Sequence, residues 1–265
     1  MITSYHIHTK FSDGQNTAQE MIEAAIQSGI DEIGISDHYV LTDGPVFDWS
    51  MKLDGLSDYF NVLNQAADKV RSKINVRYGL EADFVPEMTD RLAETLHDYP
   101  FDYVIGSVHL INGACIDGSK DYWDALSQSE KNDVIRTYWH MIARLAKSGI
   151  FDIVGHMDLY KKFGSQPTID VSEDIMIALD AIAKAGIAVE LNTSGWHKPI
   201  NEAYPSAMIL KGCHKRGIPV VLTADAHRTQ DITRDFDRGC QLLQSIGYAS
   251  RAVFENRKLT MIDLT

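Results

Sequence analysis

The sequence predicts an α/β chain whose parallel strands close into one barrel, and three observations carry that reading. Apolar strand-like runs alternate with segments of helical period along the whole chain. Gly29-Ile30, Gly149-Ile150, Gly186-Ile187 and Gly217-Ile218 each stand between a helix and the next strand. There the glycine supplies a left-handed helix stop and the isoleucine opens the strand. Seven such units in about 250 residues, with no composition break or linker, suit one closed barrel over residues 1–265 better than a doubly wound open sheet. Neither GxGxxG nor GxxxxGK[ST] occurs, so the nucleotide-binding forms of the open sheet lose support.

Ile2 to His8 reads as the first strand. Thr17-Ala18-Gln19-Glu20 has capping-box spacing and opens a helix through Gln27, stopped by Gly29. Asp31 to Ser36 is the second strand, and a loop rich in Asp, Gly and aromatics follows from Tyr39 to Gly55. A helix from Ser57 to Lys73 precedes the strand Asn75 to Leu80, and a helix from Thr89 to His97 leads to the strand Tyr103 to Ser107. A second long loop runs from Leu110 to Ser127. The longest helix, Glu130 to Lys147, ends at Gly149 and feeds the strand Phe151 to Val154. Ser172 to Lys184 is a helix, Ile187 to Leu191 a strand, Pro205 to Lys215 a helix with proline in its first turn, and Pro219 to Leu222 a strand. Asp231 to Ser245 is the last helix, and Ala252 to Asp263 closes the chain with strand-like residues.

A composition of 45% hydrophobic and 23% charged residues is that of a globular protein. No apolar run approaches the ~20 residues that span a bilayer, and the N-terminus has no signal-peptide pattern. Cys115, Cys213 and Cys240 are odd in number and widely spaced, which argues against a disulfide framework or thiolate zinc site and suits a reducing cytoplasm. The formal net charge of −12 repels nucleic acid and anionic membranes, so neither is an expected partner.

In a barrel, residues at the C-terminal ends of the strands face one cleft. Those positions hold His6, His8, His38, Glu81, His109, His156, Asp225 and His227, with Asp13 close behind the first strand. His6 and His8, two apart on a strand, share a face, and Asp225 and His227 repeat that spacing. Each histidine alone is an ordinary buried residue; six at one topological level are not. Imidazole and carboxylate without thiolate suit Zn, Mn or Fe, and nine ligands are too many for one ion and about right for three.

These residues make the chain resemble the PHP (polymerase and histidinol phosphatase) superfamily of metal-dependent phosphoesterases. The likeness rests on His6-x-His8 with Ser12-Asp13-Gly14, Ser36-Asp37-His38, Glu81, Gly106-Ser107-Val108-His109, Gly155-His156 and Asp225-Ala226-His227. Gly155-His156-Met157-Asp158-Leu159 and Glu190-Leu191-Asn192-Thr193-Ser194-Gly195 look like its histidinol-phosphate phosphatase branch. The resemblance implies a distorted (βα)7 TIM-like barrel with three divalent ions at the C-terminal ends of the strands. His6, His8, Glu81 and Asp225 would hold one ion, Glu81, His109 and His156 a second, and Asp13, His38 and His227 a third. Some relatives carry His in place of Asp13, and Trp196-His197-Lys198 stands where an aliphatic residue and then Arg are expected.

The expected reaction is hydrolysis of a small phosphomonoester, L-histidinol phosphate, by hydroxide formed on the ions. Glu81 would bridge, and Asp225 or His227 would assist proton transfer. Tyr160, Lys161, His197, Lys198 and Arg228 are the candidates for substrate contact, and Phe47, Trp49, Tyr122 and Trp123 for a lid. Asp37 and Asp158 could support neighbouring histidines or cap helices. The rim acids Asp43, Asp48, Asp117 and Asp121, with Trp196 and His197, would discriminate substrates. Another phosphomonoester, a nucleotide, phosphotyrosine, or a non-catalytic metal-binding regulatory role are the alternatives. Metal identity and oligomeric state stay open at this level.

Overall fold

The computed structural model describes residues 1–44 and 46–264. The chain runs β1 (Thr3–Ser4), α1 (Ala18–Gln27), β2 (Glu32–Ile35), β3 (His38–Tyr39), α2 (Leu56–Asp68), β4 (Asn75–Asp83), α3 (Thr89–His97) and β5 (Tyr103–Ser107). There follow β6 (Leu110–Ile111), β7 (Ala114–Cys115), α4 (Lys120–Ala125), α5 (Gln128–Ser148), β8 (Ile153–Val154), α6 (Ser172–Ala185) and β9 (Ala188–Asn192). The last elements are α7 (Ala207–Lys215), β10 (Val220–Thr223), α8 (Phe236–Ile246), β11 (Ser250–Glu255) and β12 (Lys258–Asp263).

Seven parallel strands lie in the order β1-β2-β4-β5-β8-β9-β10, as the βα alternation predicts. The ring is nearly closed, joined by a parallel bridge between Ile7 and Ala226. Ala226 N donates to His6 O at 3.0 Å, and His8 N donates to Ala226 O at 2.9 Å. β2 stops before Asp37 and the chain resumes as β3, which pairs with the outer half of β4 and sets His38 beside Glu81.

The helix stops behave as the sequence requires: Gly29, Gly149, Gly186 and Gly217 all have positive φ, between 66° and 73°. Thr17 with Glu20 forms the expected capping box, and Ser127 with Glu130 forms another, so α5 starts earlier than its apolar period suggested. Pro205 does not begin α7; Ser206 caps that helix. The expected helix over 231–245 begins with a short 3-10 turn and becomes regular only at Phe236. The second long loop contains the β6–β7 hairpin and α4, anchored by buried Trp123, whose indole N–H donates to Ile116 O at 2.7 Å.

Apolar residues form two layers. The outer one, between strands and helices, takes in Ile33, Leu80, Val104, Val189 and Leu222. The inner one is a floor of Tyr5, Tyr103, Ile105, Ile153, Ala188 and Val221, joined by Ala252 and Phe254 of the C-terminal hairpin β11–β12. Gly34 and Gly79 make room for Tyr103: a Cβ at Gly34 would meet its hydroxyl, and one at Gly79 its ring, at 2.2 Å. Beyond this floor the interior turns polar, with Glu81, Ser107, Glu190 and Thr223 all buried.

Candidate metal centre

The Ile7–Ala226 bridge brings His6-x-His8 against Asp225-x-His227, and the β3–β4 register adds His38 beside Glu81. Five imidazoles surround the fully buried Glu81 carboxylate. Its Oε2 lies 2.6 Å from His38 Nδ1, 3.2 Å from His6 Nε2 and 3.5 Å from His8 Nε2. Its Oε1 lies 2.9 Å from His156 Nε2 and 3.7 Å from His109 Nε2, and accepts the Ser107 hydroxyl at 2.6 Å. Asp225 Oδ1 is 3.2 Å from His8 Nε2, and Asp13 Oδ1 is 3.2 Å from His227 Nε2. Asp225 has φ 51°, a left-handed conformation that Asp tolerates better than most residues, and its Oδ2 accepts from Asn192 and Ser194.

All nine expected ligand residues fall into four overlapping groups whose donor atoms lie within 4.8 Å of one another. These are His8, Asp13, His38 and His227; His6, His8 and Glu81; His6, His156 and Asp225; and His38, Glu81 and His109. His6 Nε2, both nitrogens of His8, His38 Nδ1 and Glu81 Oε2 are buried without a hydrogen bond. Buried polar atoms are ordinarily satisfied, so a convergent set without hydrogen bonds fits divalent cations.

The electrostatics agree. Burial opposes a charge on Glu81, Asp225 and Asp13, yet the imidazoles beside them outweigh it and hold all three below the usual carboxylate range. Burial likewise opposes a proton on His109, but Asp83 raises it to about 10. His227 stands at about 9 because Asp13 and Asp225 overcome its burial. His8 falls to about 3 through burial and the neighbouring His38 and His227. Carboxylates that draw protons onto imidazoles also draw cations, and metal loading displaces those protons.

Outside the nine, three further acids position the cluster. Glu190 Oε1 lies 2.7 Å from His6 Nδ1 and accepts the Thr223 hydroxyl, while its Oε2 accepts His156 N–H at 2.8 Å. Asp83 Oδ1 lies 2.6 Å from His109 Nδ1. Such carboxylates fix the tautomer that leaves Nε2 free to ligate. The spacing reading gave neither this role, although Glu81 and Asp83 stand two apart on one strand and so share a face. The hydrogen bonds of Asp37 go neither to a neighbouring histidine nor to a helix end: it accepts Thr9 N–H and Ser12 hydroxyl at 2.7 and 2.5 Å, bracing the turn that carries Asp13. Gly14 ends that turn, where a Cβ would lie 2.4 Å from the His8 carbonyl.

Glu190→Gln sets an amide NH2 against a donor on His6, Thr223 or His156. We expect metal affinity to fall about 10–100-fold. Competition with a chromophoric chelator measures this, and unchanged affinity would remove the role given to Glu190.

A cavity of about 530 Å3 opens over the cluster, with His38, His109, His156, Asp225 and His227 in its wall. Of the candidates for substrate contact, His197, Lys198 and Arg228 line it, joined by Lys162, Arg234, Ser194, Tyr204, Asp117 and Asp231. Tyr160 and Lys161 do not. Tyr160 packs into the helical layer against Tyr138 and Trp139. The Lys161 ammonium is consumed by Asp158, Glu202 and Ala203 O at 2.6–2.8 Å. Asp158 also accepts Ser206 N–H at 2.9 Å, and burial pushes its carboxyl up to about 6. Trp49 meets the His38 and His109 rings at 5.0 and 5.5 Å, with Phe47 behind it. Tyr122 packs on Trp123, and neither it nor the rim acids Asp43, Asp48 and Asp121 are in the cavity wall.

A nearly closed parallel barrel that gathers imidazoles and carboxylates at the C-terminal ends of its strands defines a metal-dependent barrel enzyme. The PHP domain family matches residues 4–194, and the chain belongs to that family. It is 32% identical over 255 residues, 96% of each chain, to a Deinococcus radiodurans protein named "Probable histidinol-phosphatase". It is 29% identical over 251 residues to the histidinol-phosphatase of Bacillus subtilis, covering 86% of this chain and 94% of that one. Among solved structures, the histidinol phosphate phosphatase of Lactococcus lactis, complexed with zinc, L-histidinol and phosphate, shares the fold. Its TM-score is 0.83 at 24% identity, over 98% of each chain.

Proposed function

We propose that this chain is a metal-dependent phosphomonoesterase that hydrolyses L-histidinol phosphate to L-histidinol and phosphate. The observation that carries the reading is the nine-residue cluster opening into a cavity walled by both cations and carboxylates. A relative 32% identical over 96% of both chains, named for that activity, supports the substrate.

The donor set suits three divalent ions, zinc, manganese or iron. His6, His8, Glu81 and Asp225 would hold one, Glu81, His109 and His156 the second, and Asp13, His38 and His227 the third. Glu81 would serve both the first and the second, since His6, His8 and His38 lie around one of its oxygens and His109 and His156 around the other. Bound ions would supply positive charge for the phosphoryl oxygens and a water of lowered pKa.

The chain's own groups orient the phosphoryl end and manage the proton. Lys198, Arg228 and Arg234 are the cations for its outer oxygens. Asp225 and His227 border the cavity and can relay to the leaving alkoxide the proton that the attacking water gives up. His197, whose Nε2 sits 2.5 Å from Asp235 Oδ2, stands at the rim among those cations.

We read residues 1–265 as one catalytic domain acting in the cytoplasm without nucleic-acid or membrane partners. A net charge of −12 accords with that reading, and no helix among the described residues is long and apolar enough to cross a membrane. The test is kcat/KM on purified, zinc-loaded enzyme. We expect L-histidinol phosphate to exceed p-nitrophenyl phosphate, phosphotyrosine and nucleotides. Similar values across the panel, or a nucleotide in first place, would leave a phosphoesterase and remove this substrate.

A further inference from the structure

The cavity has two chemically different ends. At one, the wall carries Lys198, Arg228 and Arg234, and Asp231 pairs with Arg228 at 2.9 Å and Arg234 at 3.1 Å. At the other, a chamber of about 230 Å3 runs past His38 and His109 to Trp49, Cys115 and Asp117. Lys162 is the one lysine or arginine among the described residues lining this chamber. Its ammonium is held by Asp117 O at 2.7 Å and Asp117 Oδ2 at 3.0 Å. The Lys162 ammonium is therefore engaged by Asp117, whereas the opposite end carries three lysine or arginine cations with Asp231 shared between two of them.

Asp117 is built in. Its side chain is 20% exposed, and its Oδ1 accepts the Cys115 thiol at 3.3 Å. A carboxylate has roughly four acceptor positions, so with Lys162 and Cys115 satisfied about two remain. Trp49, in contact with the His38 and His109 rings, gives the same chamber a fixed aromatic wall.

L-histidinol phosphate is similarly two-ended, with a phosphoryl dianion on one side and an ammonium and imidazole on the other. A cationic leaving group is repelled by Lys198, Arg228 and Arg234 and attracted by a carboxylate beside an indole. Resting on the substrate reading above, we propose that the leaving group turns into this chamber. Asp117 accepts a hydrogen bond from its ammonium, and Trp49 packs on its imidazole. Asp117 and Trp49 are thus specificity-determining residues, and the long loops that carry them supply the selectivity that a metal centre lacks.

The experiment uses zinc-loaded enzyme and two substrates, L-histidinol phosphate and its analogue without the amine, imidazolylpropyl phosphate. The wild type should favour the amine by roughly tenfold or more in kcat/KM, the scale of one hydrogen bond to a charged group. Asp117→Asn should bring that ratio close to one, while Trp49→Leu keeps the amine preference and loses preference for imidazole over an aliphatic aminoalkyl phosphate. A second measurement stands apart from the variants' folding: on the wild type, L-histidinol should inhibit more strongly than imidazolylpropanol. Equal inhibition by the two alcohols, or an amine preference that survives in folded, metal-replete Asp117→Asn, overturns the proposal and leaves the phosphatase reading intact. A wild type that does not prefer L-histidinol phosphate to p-nitrophenyl phosphate defeats the substrate reading itself.

Discussion

We expect Glu81→Gln to remove nearly all phosphatase activity and at least one metal ion while the fold survives. The loss should exceed the 10–100-fold that changing an outer partner of a metal ligand costs, because Glu81 stands among the residues proposed to hold two ions. Glutamine keeps the size of the side chain, loses its charge, and sets an NH2 donor amid five imidazoles. The apolar floor below it is untouched, so circular dichroism should match the parent. His140→Ala is the control, since His140 lies on α5 with its Nε2 2.9 Å from Asp174 and its side chain 57% exposed. Equal metal content in the two variants would show the ligand assignment to be wrong.

Strong chelation should abolish activity and lower the unfolding temperature on the order of 10 °C. That figure follows from about 4 kcal/mol of linkage when free metal stands a thousandfold above its Kd, converted for a chain of this size. The physical cause is the set of acids and imidazoles in the cluster, which lose their counter-charges together. Elemental analysis of gently purified protein should find more than one divalent ion per chain and approach three, and zinc should restore both properties. Full activity in a metal-free chain would end the metal-dependent reading.

What was legible in the sequence follows the range over which each signal acts. The glycine stops and the Thr17–Glu20 capping box are set by residues within a turn of one another, and the structure has them where the spacing requires. The six strand-end histidines were legible because a strand's end and a barrel's mouth coincide. Lys161 shows where that logic fails. It and Lys162 are neighbours on an irregular turn, and only the contacts of Asp158, Glu202 and Asp117 decide that Lys161 is buried and Lys162 meets the cavity. Trp123 likewise sat in an apparent loop, although it anchors α4 in the core.

The sequence by itself determined the order of strands and helices, their stops, and the donor types available to a metal centre, because propensity, period and side-chain chemistry are local. Only the tertiary structure decided how the acids divide. Glu81 stands amid the histidines, Glu190 and Asp83 orient them, Asp37 braces a turn, and Asp117 faces the chamber. That division rests on the Ile7–Ala226 closure and the β3–β4 register. Both join groups remote in the chain, and an acid's proton affinity and partner depend on the charges that folding brings within a few ångströms of it.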